Sequence, residues 1–165
     1  MQTVSCRLQA KIIYGMNSEL ERRLSEKQIT PTAMRLRVLE FLLQQEHAVG
    51  LADVEKALGR SDRITLYRTL KTFEEKCLVH TVTDGAGMTK YALCDDACLP
   101  GEQHQDTHVH FSCTACGETF CLPGTSIPRI QLPGGFLPEE VSLLVKGTCQ
   151  SCAEKNATRL QAIME

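Results

Sequence analysis

Apolar residues recur at helical intervals through the first half of the chain and tend towards alternation in the second. Leu20 and Leu24 stand one turn apart in a charged stretch from Met16 to Gln28, with Asn17 or Ser18 available as a cap. After Thr30-Pro31-Thr32, the spacing of Met34, Val38, Leu39, Phe41 and Leu42 predicts an amphipathic helix over roughly 32–45. Leu51, Val54, Glu55 and Leu58 mark a brief third helix ending at Gly59. A fourth follows a Ser61 or Asp62 cap, its apolar side running through Ile64, Leu66, Tyr67, Leu70 and Phe73 to about Lys76.

The period then changes. Leu78–Val82 and Thr89–Leu93 are β-prone and flank a Gly-rich turn at Thr83–Met88, which predicts a hairpin. Two short helices joined through a glycine, the second carrying Arg63, Arg68 and Lys71, with a hairpin directly behind, form a winged helix-turn-helix pattern. A plain helical bundle accounts for the apolar spacing but not for the hairpin or the basic face. Composition shifts between Cys94 and Gly101, so the expected division is a DNA-binding domain over 1–93, a hinge over 94–101 and a second domain over 102–165.

In that second part, His104 to Ser112 leads into a strand and Thr119 to Leu122 returns, with Pro123, Gly124 and Pro128 expected to interrupt structure. Phe136 and Leu137 are expected to plug a loop between Pro133 and Pro138, and Val141 to Lys146 is the clearest strand. Ala153 to Met164 reads as a closing helix with Ala157, Leu160 and Met164 inward. The expected class is therefore α/β (α+β), a winged helix followed by a small α/β domain.

Chemistry concentrates in the cysteines and histidines. Cys113-Thr-Ala-Cys116 and Cys149-Gln-Ser-Cys152 offer four thiolates at zinc-knuckle spacing across 32 intervening residues, with Gly117 and Gly147 as turn positions. Two disulfides are the alternative, although the chain's nine cysteines cannot all pair among themselves. The absence of a leading signal pattern and of an 18-residue apolar run favours metal binding in a reducing cytoplasm, with no membrane contact. Three of the five histidines lie between His104 and His110. In an extended strand His108 and His110 share a face, which Asp106 and His104 join if the strand reaches back that far. Cys94, Cys98 and Cys121 are nearby thiols that suit a second, exchangeable divalent metal, Fe²⁺ or Zn²⁺. His47 and His80 stand alone and read as satisfied or solvent-facing.

Charge is unevenly divided, net +3 over residues 1–93 and net −5 over 94–165. Any nucleic-acid contact therefore belongs to the first half. The expected reading face is Ser61, Arg63, Thr65, Tyr67, Arg68 and Lys71, with Arg35 on phosphate or minor groove and Tyr67 equally compatible with the core. No phosphate loop, nucleophile elbow or H-E-x-x-H motif occurs, so no enzyme is expected.

The stretches PTAMRLRVLEFLLQQEHAVGLADVEKAL, DRITLYRTLKTFEEKCLVH, THVHFSCTACG and VSLLVKGTCQSC together resemble the ferric uptake regulator family from about Thr30 to Cys152. The resemblance implies a homodimeric, metal-responsive repressor on a palindromic operator in double-stranded DNA, its dimerisation domain stapled by structural zinc. It also puts Tyr67, Arg68 and Arg35 on the family's DNA-contacting positions, and His108 and His110 on two ligands of its interdomain sensing site. Two further sensing positions depart from the pattern: Ala48 stands where the family has a histidine and Ala92 where it has the wing glutamate. Thr107, Val109 and Val141 replace usual ligands of a further site. A zinc-stabilised scaffold that senses nothing, and a peroxide sensor of the same family, are the alternative readings.

Overall fold

The computed structural model describes residues 17–59, 61–94, 98, 108–138 and 141–156. Helix α1 (residues 17–26) turns Leu20 and Leu24 inward. Helices α2 (Ala33–Leu43), α3 (Leu51–Leu58) and α4 (Arg63–Glu75) bury Val38, Leu39, Val54, Leu66, Leu70 and Phe73 against one another. Each such side chain contributes about 1.5–3 kcal/mol on burial. Their starts are chemically marked. Thr32 Oγ1 accepts from the Arg35 N–H at α2, Asp53 Oδ2 accepts from the Gly50 N–H (2.8 Å) at α3, and Asp62 Oδ2 accepts from the Thr65 N–H (2.9 Å) at α4.

Helix α4 ends with Cys77 in the left-handed region (φ 54°) and the Leu78 N–H on the Phe73 carbonyl at 2.8 Å. This is a Schellman-type stop in which a non-glycine residue takes the position glycine usually fills. It turns the chain straight into β2 (Val79–Thr83), which pairs with β3 (Thr89–Leu93); β1 (Val49–Gly50) adds to the other edge of β3. The result is a winged helix-turn-helix.

The second sheet has β4 (His108–Cys113) at its centre, antiparallel to β5 (Thr119–Ser126) and parallel to β6 (Leu143–Gly147). A helix at residues 150–156 follows. Several expectations shift here. Pro123 and Gly124 do not end the returning strand. They lie where the register slips between Val109↔Leu122 and His108↔Ser126, a bulge that an edge strand tolerates. Phe136 and Leu137 plug nothing within one chain, being 66% and 92% exposed. Gly117 has the positive φ (+76°) expected of a knuckle, whereas Gly147 is needed for closeness: a Cβ there would meet the Phe111 ring at 3.1 Å. Ala157, Leu160 and Met164 lie outside the described residues.

The two sheets touch. The Ala48 N–H donates to the Thr119 carbonyl at 2.7 Å, and Gly85 in the wing turn packs beneath Lys146 and Ser112. Among the described residues, no helix is long and apolar enough to cross a membrane.

Candidate functional site

Two clusters of metal-type donors stand out among the described residues. The first grows out of the pairing of β4 with β6, which runs in parallel to Cys113↔Gly147 and so delivers Cys149 beside the first Cys-x-x-C turn. That turn is closed by the Gly117 N–H on the Cys113 carbonyl (2.9 Å), and the Thr114 N–H ties it to the Gly147 carbonyl (2.7 Å). The sulfurs of Cys113, Cys116, Cys149 and Cys152 all lie within 4.8 Å of one another. Cys116 and Cys149 are 3.9 Å apart, far beyond a disulfide bond of about 2.05 Å and close to the edge of about 3.8 Å in a tetrahedral zinc thiolate. The Cys149 N–H, with the Cys116 N–H behind it, holds the Cys113 thiol down to about 6. Against the lowering influence of the Glu118 N–H, desolvation and sharing with Cys113 and Cys152 push Cys116 up to about 12. One sulfur ionises readily and the next resists, as expected of crowded thiols that a cation would neutralise together. The donor set fits zinc.

The second cluster lies between the sheets and comprises His80, His108, His110 and Cys121. Strand β4 supplies His108 and His110 by its two-residue period, and the antiparallel register sets Cys121 of β5 opposite His110. His80 comes from the wing strand β2. Its Nε2 lies 3.3 Å from both His110 Nε2 and Cys121 Sγ. Tetrahedral zinc requires edges of about 3.3 Å between two imidazole nitrogens and about 3.5 Å between nitrogen and sulfur. His80 and His110 are each only 4% exposed. This donor set, too, fits a tetrahedral ion with nitrogen and sulfur ligands.

The expected ligands fall out differently. Cys121, His108 and His110 join the cluster, while Cys94 lies behind it, its Sγ 3.7 Å from the other ring nitrogen of His80, Nδ1. Cys98 lies apart, its carbonyl accepting from Lys27, and His104 and Asp106 lie outside the described residues. His80, which sequence spacing leaves isolated, is a full member of the cluster. No spacing pattern marks it, because its partners His110 and Cys121 reach it only through the packing of β2 against β4 and β5. His47 packs edge-on to Phe120 and borders a cavity of about 130 Å³ that also reaches Ala92 and Cys121.

Along α4, Arg63, Thr65, Tyr67 and Arg68 are exposed and Lys71 is half-buried, as is Ser61 just before the helix. Arg63 pairs with Glu55, Lys71 donates to Glu74 at 2.6 Å, and Arg35 donates to the Thr30 carbonyl at 2.7 Å. Tyr67 is 45% exposed and is not a core residue. Nor is Ile64, which the spacing assigns to the apolar side; it is 60% exposed.

A winged helix whose wing strand shares a His/Cys cluster with a thiol-knotted sheet defines a metal-responsive DNA-binding regulator. The chain belongs to the ferric uptake regulator family, whose model matches residues 26–132. That family consists of regulators rather than enzymes. The fold is also that of a zinc uptake regulator solved in complex with zinc and DNA (22% identity, TM-score 0.58, covering 87% of this chain and 97% of that one). It is similar as well to holo XcZur (21%, 0.56, 84% and 99%) and to the Vibrio cholerae ferric uptake regulator (19%, 0.53, 78% and 98%). No curated protein sequence matches the chain.

Proposed function

We propose that this chain is a zinc-responsive cytoplasmic repressor that binds a two-fold DNA operator as a homodimer. In this reading Cys113, Cys116, Cys149 and Cys152 hold structural zinc, and His80, His108, His110 and Cys121 form the exchangeable site. The division stays at the 94–101 hinge. Arg35, Ser61, Arg63, Thr65, Tyr67, Arg68 and Lys71 form the DNA face, and the apolar side chains of Ile130, Leu132, Phe136, Leu137 and Val145, left in water by one chain, form part of the surface that a second copy covers. A zinc uptake regulator of the same fold, solved with both zinc and DNA bound, supports this choice of metal and of nucleic acid.

The observation that carries the reading is that His80, a wing residue, meets His110 and Cys121 of the other sheet at 3.3 Å. A thiolate beside imidazoles suits zinc better than iron. When bound, the ion would supply a positive centre shared by three strands. His80 sits three residues past the αL turn at Cys77, so fixing its ring against β4 and β5 also fixes the direction of α4. Metal raises DNA affinity only as far as the docked arrangement binds it better than the undocked one.

The test is a zinc titration of protein carrying one tightly held zinc per chain, followed by DNA binding with and without the second equivalent. The expected result is a second stoichiometric site and an operator affinity at least tenfold higher when it is filled. No second equivalent, or DNA affinity indifferent to it, leaves a non-sensing scaffold.

A further inference from the structure

Ile64 is a large apolar side chain left 60% exposed in the folded chain. Helix α4 buries Leu66, Thr69, Leu70 and Phe73. At about 100° per residue, Ile64 lies roughly 200° round from Leu66, on the side facing away from the core. A β-branched residue there adds nothing to helix propensity, and solvent-facing positions are better served by Lys, Glu or Ala. Its neighbours along the same stripe are Arg68 one turn on and Lys71 two turns on, with Tyr67 beside them. A large apolar side chain therefore stands at the second position of the helix, inside a basic face. In helix-turn-helix proteins these N-terminal positions meet base edges in the major groove. The one apolar group that a base presents there is the 5-methyl of thymine.

We propose that Ile64 reads a thymine methyl group in each operator half-site and so contributes base specificity, while the surrounding cations bind phosphate. The inference rests on α4 being the DNA-reading helix. Loss of one methyl contact is worth about fourfold in affinity per half-site and about fifteenfold when both are lost.

The probe is the duplex that the zinc-loaded protein selects from a random-sequence pool, with each thymine replaced in turn by deoxyuridine, which removes only the methyl. Affinities are measured by fluorescence anisotropy for the wild type, Ile64→Ala and Tyr67→Ala. At one symmetric pair of positions, deoxyuridine should weaken the wild type about fifteenfold, Ile64→Ala should weaken the thymine duplex similarly, and the two losses should not add. Tyr67→Ala should retain the sensitivity at those positions. The proposal is overturned if Ile64→Ala binds like the wild type, or if its loss adds to that of deoxyuridine at every position. If Arg68→Ala also leaves affinity unchanged, the assignment of α4 as the reading helix falls with it; a loss on Arg68→Ala alone confines the failure to Ile64.

Discussion

The Lys90 ammonium, on the wing strand β3, lies 2.6 Å from the Gly117 carbonyl of the first cysteine knuckle and 3.2 Å from Thr119 Oγ1. It is also 3.3 Å from Asp84 Oδ2 at the start of the wing turn, and both side chains of that pair are largely shielded from water. One cation thus ties the hairpin to itself and to the thiol-knotted sheet. Lys90→Met keeps the apolar stem and removes the donor, leaving the Asp84 carboxylate without this counter-charge. The expected cost is about 1–3 kcal/mol in urea unfolding, with weaker zinc-dependent DNA binding although Lys90 belongs to no expected DNA contact.

His80 and Cys94 should behave differently although both touch the interdomain cluster. His80→Ala removes a donor 3.3 Å from two others and should abolish stoichiometric binding of the second zinc while leaving the thiol-bound ion in place. Cys94→Ala removes only the group beside Nδ1, and should weaken the second site by about 10–100-fold without eliminating it. Competition with a chromogenic chelator measures both.

Replacing Cys113 and Cys149 together by serine should lower the tightly held zinc by one equivalent per chain in elemental analysis. The same change should release the β4–β6 pairing, which continues to Cys113↔Gly147. Amide exchange should show lost protection in β4 and β6, with α2 to α4 retaining theirs. Native protection throughout would refute the role assigned to the knot.

Asp62→Ala should lower the melting temperature by roughly a few degrees and fray the start of α4. The Thr65 hydroxyl and N–H hold the Asp62 carboxyl below its ordinary value. A depressed carboxyl contributes stability that is fully present above its unfolded value and is lost only as pH falls through the lower folded one. The gap between wild type and variant should therefore stay constant from about pH 5 to 8 in thermal melts.

The helices, the hairpin and the four-thiol knot are legible in the sequence because each rests on a local signal: apolar period, a glycine-rich turn, paired Cys-x-x-C spacing. The cluster of His80, His108, His110 and Cys121 is half legible. His108 and His110 share a strand face by simple alternation, but His80 and Cys121 are brought to them by the packing of two sheets, which no window of sequence contains. Ile64 and Tyr67 look like core residues because apolar type alone does not tell which side of an amphipathic helix is covered when both sides carry large residues. Pro123 and Gly124 look like breakers, and are absorbed by a bulge at a sheet edge. Phe136 and Leu137 look like plugs because large apolar type suggests burial, yet both stand in water in the single chain.

Gly85 forms the bend of the wing, and the Lys146 ammonium donates to its carbonyl at 3.1 Å while its N–H faces Ser112 Oγ at 3.4 Å. The hairpin's tip is thereby clasped by its own chain. With Ser112 on β4 and Lys146 on β6 both gripping Gly85, the wing turn is coupled to the thiol-knotted sheet, so whatever shifts that sheet is felt by the hairpin that follows α4.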